Sequence, residues 1–336
     1  MRTTTYLSIA LGLALFIALI AYYGVGELAA AVATAGWGLL GVAAYRSVTL
    51  GANTVAWRVL FPAANRPGFA GLLRLRWIGE SVNSLLPVGQ VGGDFVRARL
   101  AARQGISGAD AGASTVVDFT LGLVTQVLFA LIGVALLLRA GVDGQQGRTL
   151  LVGILVATLA VAAFYAAQRL GLFRGMAGLV GKLLPGRAWQ SLAGDAAAFD
   201  RRIMDLYHSR RRVFLAGCWR MIGWLLHTGE TWLAFYFLGV PSSLANALVL
   251  ESLGAAVRSA AFVVPGALGV QEGGFVVLGR TLGLTPETAL ALALVKRVRE
   301  LLVGGPGLAA WTVLEGEGLL RLMSRKSEQS ATGDRQ

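Results

Sequence analysis

Cysteine is almost absent from this chain: Cys218 stands alone among 336 residues, which excludes an internal disulfide and a cysteine metal cluster. Histidine is nearly as scarce, and His208 and His227 are too few and too separated to make a histidine metal site. Charge is sparse too, at 14% of residues, with 18 acidic side chains against 30 basic ones and a net charge of +12. Such an excess would suit nucleic acid, but the basic residues fall in short stretches between apolar runs, where cytoplasmic loops of membrane proteins carry them. No nucleic-acid partner is expected. What is abundant is apolar: 55% of the chain is hydrophobic and its mean hydropathy is +0.65, too high for a soluble protein of this length. The fold expected is an all-α, polytopic integral membrane helix bundle.

Two stretches interrupt the apolar pattern with glycine, proline and charge together. The first holds Glu80, Asn83, Pro87, Gln90, Gly92, Gly93, Asp94, Arg97 and Arg99. Pro87 removes a backbone donor and clashes with the preceding turn, and Gly89, Gly92 and Gly93 weaken a helix further. In hydrocarbon each freed N–H or C=O costs several kcal/mol, so the break needs cover from protein or a water-filled cavity. The second stretch repeats the order Glu-Ser, Pro, Gly-Gly, Phe-Val, Arg at longer spacing. It holds Glu251, Ser252, Arg258, Pro265, Gly269, Gln271, Glu272, Gly273, Gly274, Phe275, Val276 and Arg280. Paired interrupted segments in the two halves of a chain point to a transporter site. Two buried kinks with coincidental glycines are the plainer alternative.

The positive-inside rule orients the rest. Full spans are expected over residues 4–23, 37–61, 111–138, 149–168, 213–238 and 286–314. The first resembles a signal peptide, but many spans follow it and an uncleaved helix is expected. Arginines flank the first interrupted stretch on both sides, so it should enter and leave on the cytoplasmic face; the second, at 244–283, should enter from outside. About six spans, two re-entrant hairpins, inverted halves and cytoplasmic termini result. Residues 244–264 are also long enough to cross fully. Residues 169–212 read as a basic cytoplasmic connector of two amphipathic helices on the inner leaflet, a site for anionic lipid or simply a link. Residues 1–320 form one domain, and 321–336 a polar, disordered tail.

Charges inside apolar spans should face the protein interior and pair. The expected partners are Glu80 or Asp94 with Arg297 or Arg299, and Glu251 or Glu272 with Arg258, with Lys296 and Glu300 close by. These pairs either lock the hairpins or line a polar cavity. A cavity open to both leaflets suits a lipid carried with its headgroup inside and its tails in the membrane, with backbone N–H groups at Gly92-Gly93 and Gly273-Gly274 free to approach it.

The segments SLLPVGQVGGDFVRARLA (84–101) and VPGALGVQEGGFVVLG (264–279) resemble the signatures of the lysylphosphatidylglycerol synthase transmembrane, flippase-like family, and look most like its branch associated with hopanoid biosynthesis. The resemblance implies a bacterial cytoplasmic (inner) membrane protein that moves lipids between leaflets. Hopanoids or anionic phospholipids would be its partners, beside lipid-biosynthesis proteins and other copies of the chain. It carries over Pro87, Gly92, Gly93, Asp94 and Arg97 in the first motif, and Pro265, Gly269, Glu272, Gly273 and Gly274 in the second. No aminoacyl transfer domain follows Leu320, so lysyl transfer is not expected.

Residues 175–184 look superficially like a phosphate-binding loop, but the glycines are one residue too far apart and Leu183 replaces the Ser or Thr that would hold magnesium. Neither ATP-driven transport nor any cofactor is expected. A lipid-modifying enzyme with His227 and Glu230 as acid/base pair is the rival reading, although no diphosphate, zinc or nucleophile-elbow motif accompanies them. A scaffold for lipid-synthesis partners is the third.

Overall fold

Long apolar runs rich in Ala, Leu and Val make a molecule whose described residues are helical and contain no strand; Ala and Leu are among the best helix formers. The computed structural model describes residues 26, 33–63, 66–86, 91–139, 144–171, 187–261, 267 and 269–333. The expected first span, the first amphipathic half of the connector, and Pro87, Gln90 and Pro265 lie outside them. In chain order the helices are α1 (Gly38–Leu60), α2 (Phe69–Leu85), α3 (Gly92–Arg103), α4 (Gly108–Arg139), α5 (Gly144–Arg169), α6 (Arg187–His208), α7 (Arg210–Phe237), α8 (Leu244–Ala260), α9 (Val270–Thr281) and α10 (Pro286–Gly333).

Both interrupted stretches are pairs of helices folded back on one another. Where α2 meets α3, a side chain at Gly79 would stand 2.8 Å from the Gly93 carbonyl oxygen, so glycine is what lets the backbones touch. Asn83 Oδ1 accepts from Gly93 N–H at 2.7 Å and ties the start of α3 to α2. In the second pair Gly274 of α9 packs on Val257 of α8, and Gly254 of α8 faces the Phe275 ring. Gly269 precedes α9 at φ +75°, a left-handed conformation that favours glycine, and its N–H donates to Glu272 Oε2 at 2.7 Å. Glu272 thereby caps its own helix.

α7 is the central strut, packed against α1, α4, α6, α8 and α10. Two apolar clusters hold the bundle together. One gathers Leu39, Val42, Val134, Leu137, Phe235, Leu250, Leu253, Phe275 and Leu292; the other Trp57, Leu60, Leu72, Leu75, Ile78, Leu100, Val117 and Ile203. α1, α4 and α7 each run from one cluster to the other, and between the clusters each carries polar side chains: Arg46 and Asn53, Gln126, and Arg220 and His227; Asp118 lies beside Val117 of the second cluster. The polar layer therefore sits midway along the bundle.

Two described helices are long and apolar enough on their own to cross a membrane, α4 and the Val152–Arg169 part of α5. α1, α7 and α10 carry charges that interrupt their apolar windows, and Arg46, Glu230 and Arg299 among those charges point inward. α10 continues to Gly333, through the stretch where a disordered tail was expected from Arg321; its Arg, Lys, Glu and Gln residues are good helix formers.

Candidate functional site

The polar layer lines a half-open cavity of about 750 Å³, the size of a small-molecule site. Both folded helix pairs reach it: Glu80, Asn83 and Ser84 from α2 with Val91 ahead of α3, and Glu251, Arg258 and Ser259 from α8 with Gln271 and Phe275 from α9. α1 adds Arg46, Leu50 and Asn53, α7 adds Arg220, Trp224 and His227, and α10 adds Lys296, Arg299 and Glu300. Phe119, Leu123 and Phe164 of α4 and α5 make an apolar side to the same space.

Beneath this surface lies a chain of ion pairs linking the helices around the cavity. Arg46 donates to Glu80 at 2.6 Å and lies 3.8 Å from Glu230. Asp118, fully buried on α4, accepts from Arg76 at 2.5 Å and Arg97 at 2.8 Å, and Arg220 approaches its other oxygen at 3.9 Å. Arg97 also reaches Asp94 at 2.8 Å and lies over the Trp57 ring. Arg299 holds Glu230 at 2.8 Å, Arg297 bridges Glu272 and Glu300 at 2.9 Å each, Arg258 pairs with Glu300, and Lys296 and Thr231 both donate to Glu251. His227 sits among them, with Arg46 Nη1 at 3.0 and 2.9 Å from its ring nitrogens, Glu251 at 3.8 Å and Glu230 at 4.0 Å. Burial of so many charges is sustained only by such pairing, since a lone ion in a low-dielectric interior is strongly unfavourable.

The pairings differ from those expected. Glu80 goes to Arg46 and Arg76 rather than Arg297 or Arg299; Asp94 goes to its neighbour Arg97; Arg258 goes to Glu300 rather than Glu251 or Glu272. Sequence spacing shows which residues share a face but not which helices become neighbours. Among the predicted site residues, Glu80, Asn83, Glu251, Arg258, Gln271, Arg299 and Glu300 line the cavity. Asp94, Arg97, Glu272 and Arg297 stand behind the wall as ion-pair partners. The glycines do another job than expected: Gly93 N–H is already taken by Asn83, Gly273 N–H bonds to the Gly269 carbonyl, and Gly93 and Gly274 are helix contacts. Gly92 opens α3 and Gly269 precedes α9.

Arg46, Asn53, Gln126 and Arg220 also line the cavity and Asp118 anchors it, although none is among the expected site residues; Lys296, expected beside the ion pairs, lines it too, and Glu230, expected only as an acid/base partner of His227, anchors it through Arg299. A signal was present. Arg46, Leu50 and Asn53, then Gly122 and Gln126, then Arg220, Trp224 and His227 each recur at helical spacing on one face of an apolar span.

The exterior is the converse of the interior. Val152, Leu155, Val156 and Leu159 of α5, Leu128, Leu131 and Ile132 of α4, and Phe214, Leu225 and Tyr236 of α7 are exposed, Leu159 to 61%, while Asp118 is at 0%. Charge inside and hydrocarbon outside is what a lipid environment selects. The family described as the lysylphosphatidylglycerol synthase TM region matches residues 7–306. The chain belongs to that family. It is a helical membrane protein of a family tied to lipid synthesis or translocation. Comparison with curated proteins and with solved structures finds no match.

Proposed function

We propose that this member of the lysylphosphatidylglycerol synthase TM family carries a polar-headed lipid between the leaflets of the bacterial cytoplasmic membrane, as a carrier and not as an enzyme. In this reading the chain is multi-pass, the two helix pairs are re-entrant hairpins of inverted halves, and hopanoids are the suggested cargo from the motif resemblance, anionic phospholipids the other. The observation that carries it is the charged cavity, lined from both helix pairs and set midway between two apolar clusters, inside a shell of exposed aliphatic side chains. Such a place hides a headgroup while the apolar side at Phe119, Leu123 and Phe164 accommodates the chains. Interrupted helices meeting near the midplane are where carriers bind their substrates. Against an acid/base role, Glu230 is tied to Arg299, and the cationic Arg46 guanidinium lies against the His227 ring, where it disfavours a second positive charge.

The test is transbilayer movement of labelled hopanoid and phospholipid in reconstituted vesicles. Vesicles holding the protein should move at least one of these faster than empty ones. Glu251→Gln, which weakens the hold on Lys296, should slow movement roughly tenfold, the effect of ~1.4 kcal/mol on a barrier. Equal rates with and without protein would refute the carrier reading, and chemical conversion of the lipid by the purified protein would favour the enzyme.

A further inference from the structure

Among the described residues, the ion pairs around the cavity do not quite balance. Eight cations, Arg46, Arg76, Arg97, Arg220, Arg258, Lys296, Arg297 and Arg299, face seven carboxylates, Glu80, Asp94, Asp118, Glu230, Glu251, Glu272 and Glu300. Assigning each carboxylate to its nearest cation leaves Arg220 over. Its approach to Asp118 is 3.9 Å, to a carboxylate already held at 2.5 and 2.8 Å by two other arginines. Its hydrogen bond within the network, 3.3 Å from Nη1, goes to the neutral Asn53 amide oxygen. The guanidinium lies on the cavity wall, in the space that the missing side chain of Gly122 leaves on α4. Any Cβ at position 122 would fall on it.

We infer that Arg220, seated against Gly122 and steadied by Asn53, is the subsite for a single negative charge, and that the cargo is a lipid with a monoanionic phosphodiester headgroup. This rests on the carrier reading and names its substrate class. A guanidinium offers a planar fork of donors matched to two phosphate oxygens, which neither a lysine nor a hydroxyl reproduces. One surplus cation balances one charge. A neutral polyol would leave it unbalanced, and a dianion would exceed it.

The test is binding of dihexanoyl phosphatidylglycerol to the purified full-length protein, followed by the fluorescence of Trp77 and Trp224 on the cavity wall. Dihexanoylglycerol, the same chains without phosphate, should bind at least tenfold more weakly to wild type; equal affinity overturns the inference without need of any variant. Arg220→Gln should lose about tenfold in affinity for phosphatidylglycerol, and Arg220→Lys should recover part of it. Gly122→Ala keeps every charge and favours the helix, yet displaces the guanidinium, so it should lose affinity as Arg220→Gln does. Unchanged binding in both Arg220→Gln and Gly122→Ala would sink the subsite. Equally strong competition by chain-free glycerophosphoglycerol would assign the site to a soluble phosphodiester and overturn the lipid assignment. Phosphatidylglycerol that binds through Arg220 but is never translocated refutes the carrier and spares the subsite. Translocation unaffected by Arg220→Gln does the reverse.

Discussion

Asp118 is the residue on which the interior turns. It is fully buried and gathers arginines from α2, α3 and α7 onto α4, so its loss leaves like charges facing one another in a poorly solvated place. Asp118→Asn should lower stability by ~3–5 kcal/mol, the cost of breaking a buried ion pair from one side, read as a fall in melting temperature in detergent. An unchanged melting temperature would mean that the arginines are held by something else. Glu272 and Asp94 teach a different lesson. Both lie in the motifs that carry the family resemblance, yet Glu272 caps its own helix while holding Arg297, and Asp94 holds Arg97. Glu272→Gln should therefore reduce stability before it reduces any lipid movement measured on the surviving folded fraction.

At the scale of elements, two glycines, one in each folded helix pair, respond oppositely to the same substitution. Gly93→Ala pushes a methyl group into the backbone of α2 and should cost ~1–3 kcal/mol, as overpacking does. Gly273→Ala meets open space on an exposed turn of α9 and should be neutral or stabilising by ~0.5–1 kcal/mol through helix propensity alone. Thermal melts of the two variants side by side decide; destabilisation of both, or neither, would contradict the packing. These breaks were legible in the sequence because proline and paired glycines are the residues that an uninterrupted helix interior disfavours most. The helix limits were legible too: expected spans at 37–61, 111–138 and 213–238 became α1, α4 and α7 with shifts of a few residues. The job of the glycines was not legible, because whether a missing side chain serves a ligand or a neighbouring helix depends on what stands opposite.

Across the whole molecule, the distribution of polarity makes a prediction about location in the bundle rather than about any one contact. Leu159→Arg, on the exposed face of α5, should cost ~2.5–3.5 kcal/mol of insertion and reduce the amount of protein recovered from membranes. Normal recovery would place that face away from lipid. The site was half legible at this scale. Residues near the interrupted stretches, such as Glu80 and Glu251, declared themselves by charge beside proline and glycine, whereas Arg46, Arg220 and Asp118 lie in uninterrupted helices and gain meaning only when α1, α4 and α7 meet. The excess of one cation over the carboxylates also bears on energetics. Each uncompensated charge moved across a membrane at 100 mV exchanges ~2.3 kcal/mol with the electric potential. An occupant bearing one negative charge cancels the surplus, so voltage would act on the vacant protein and ignore the occupied one. In a carrier that moves Arg220 through that field, the potential would act on the empty return stroke alone.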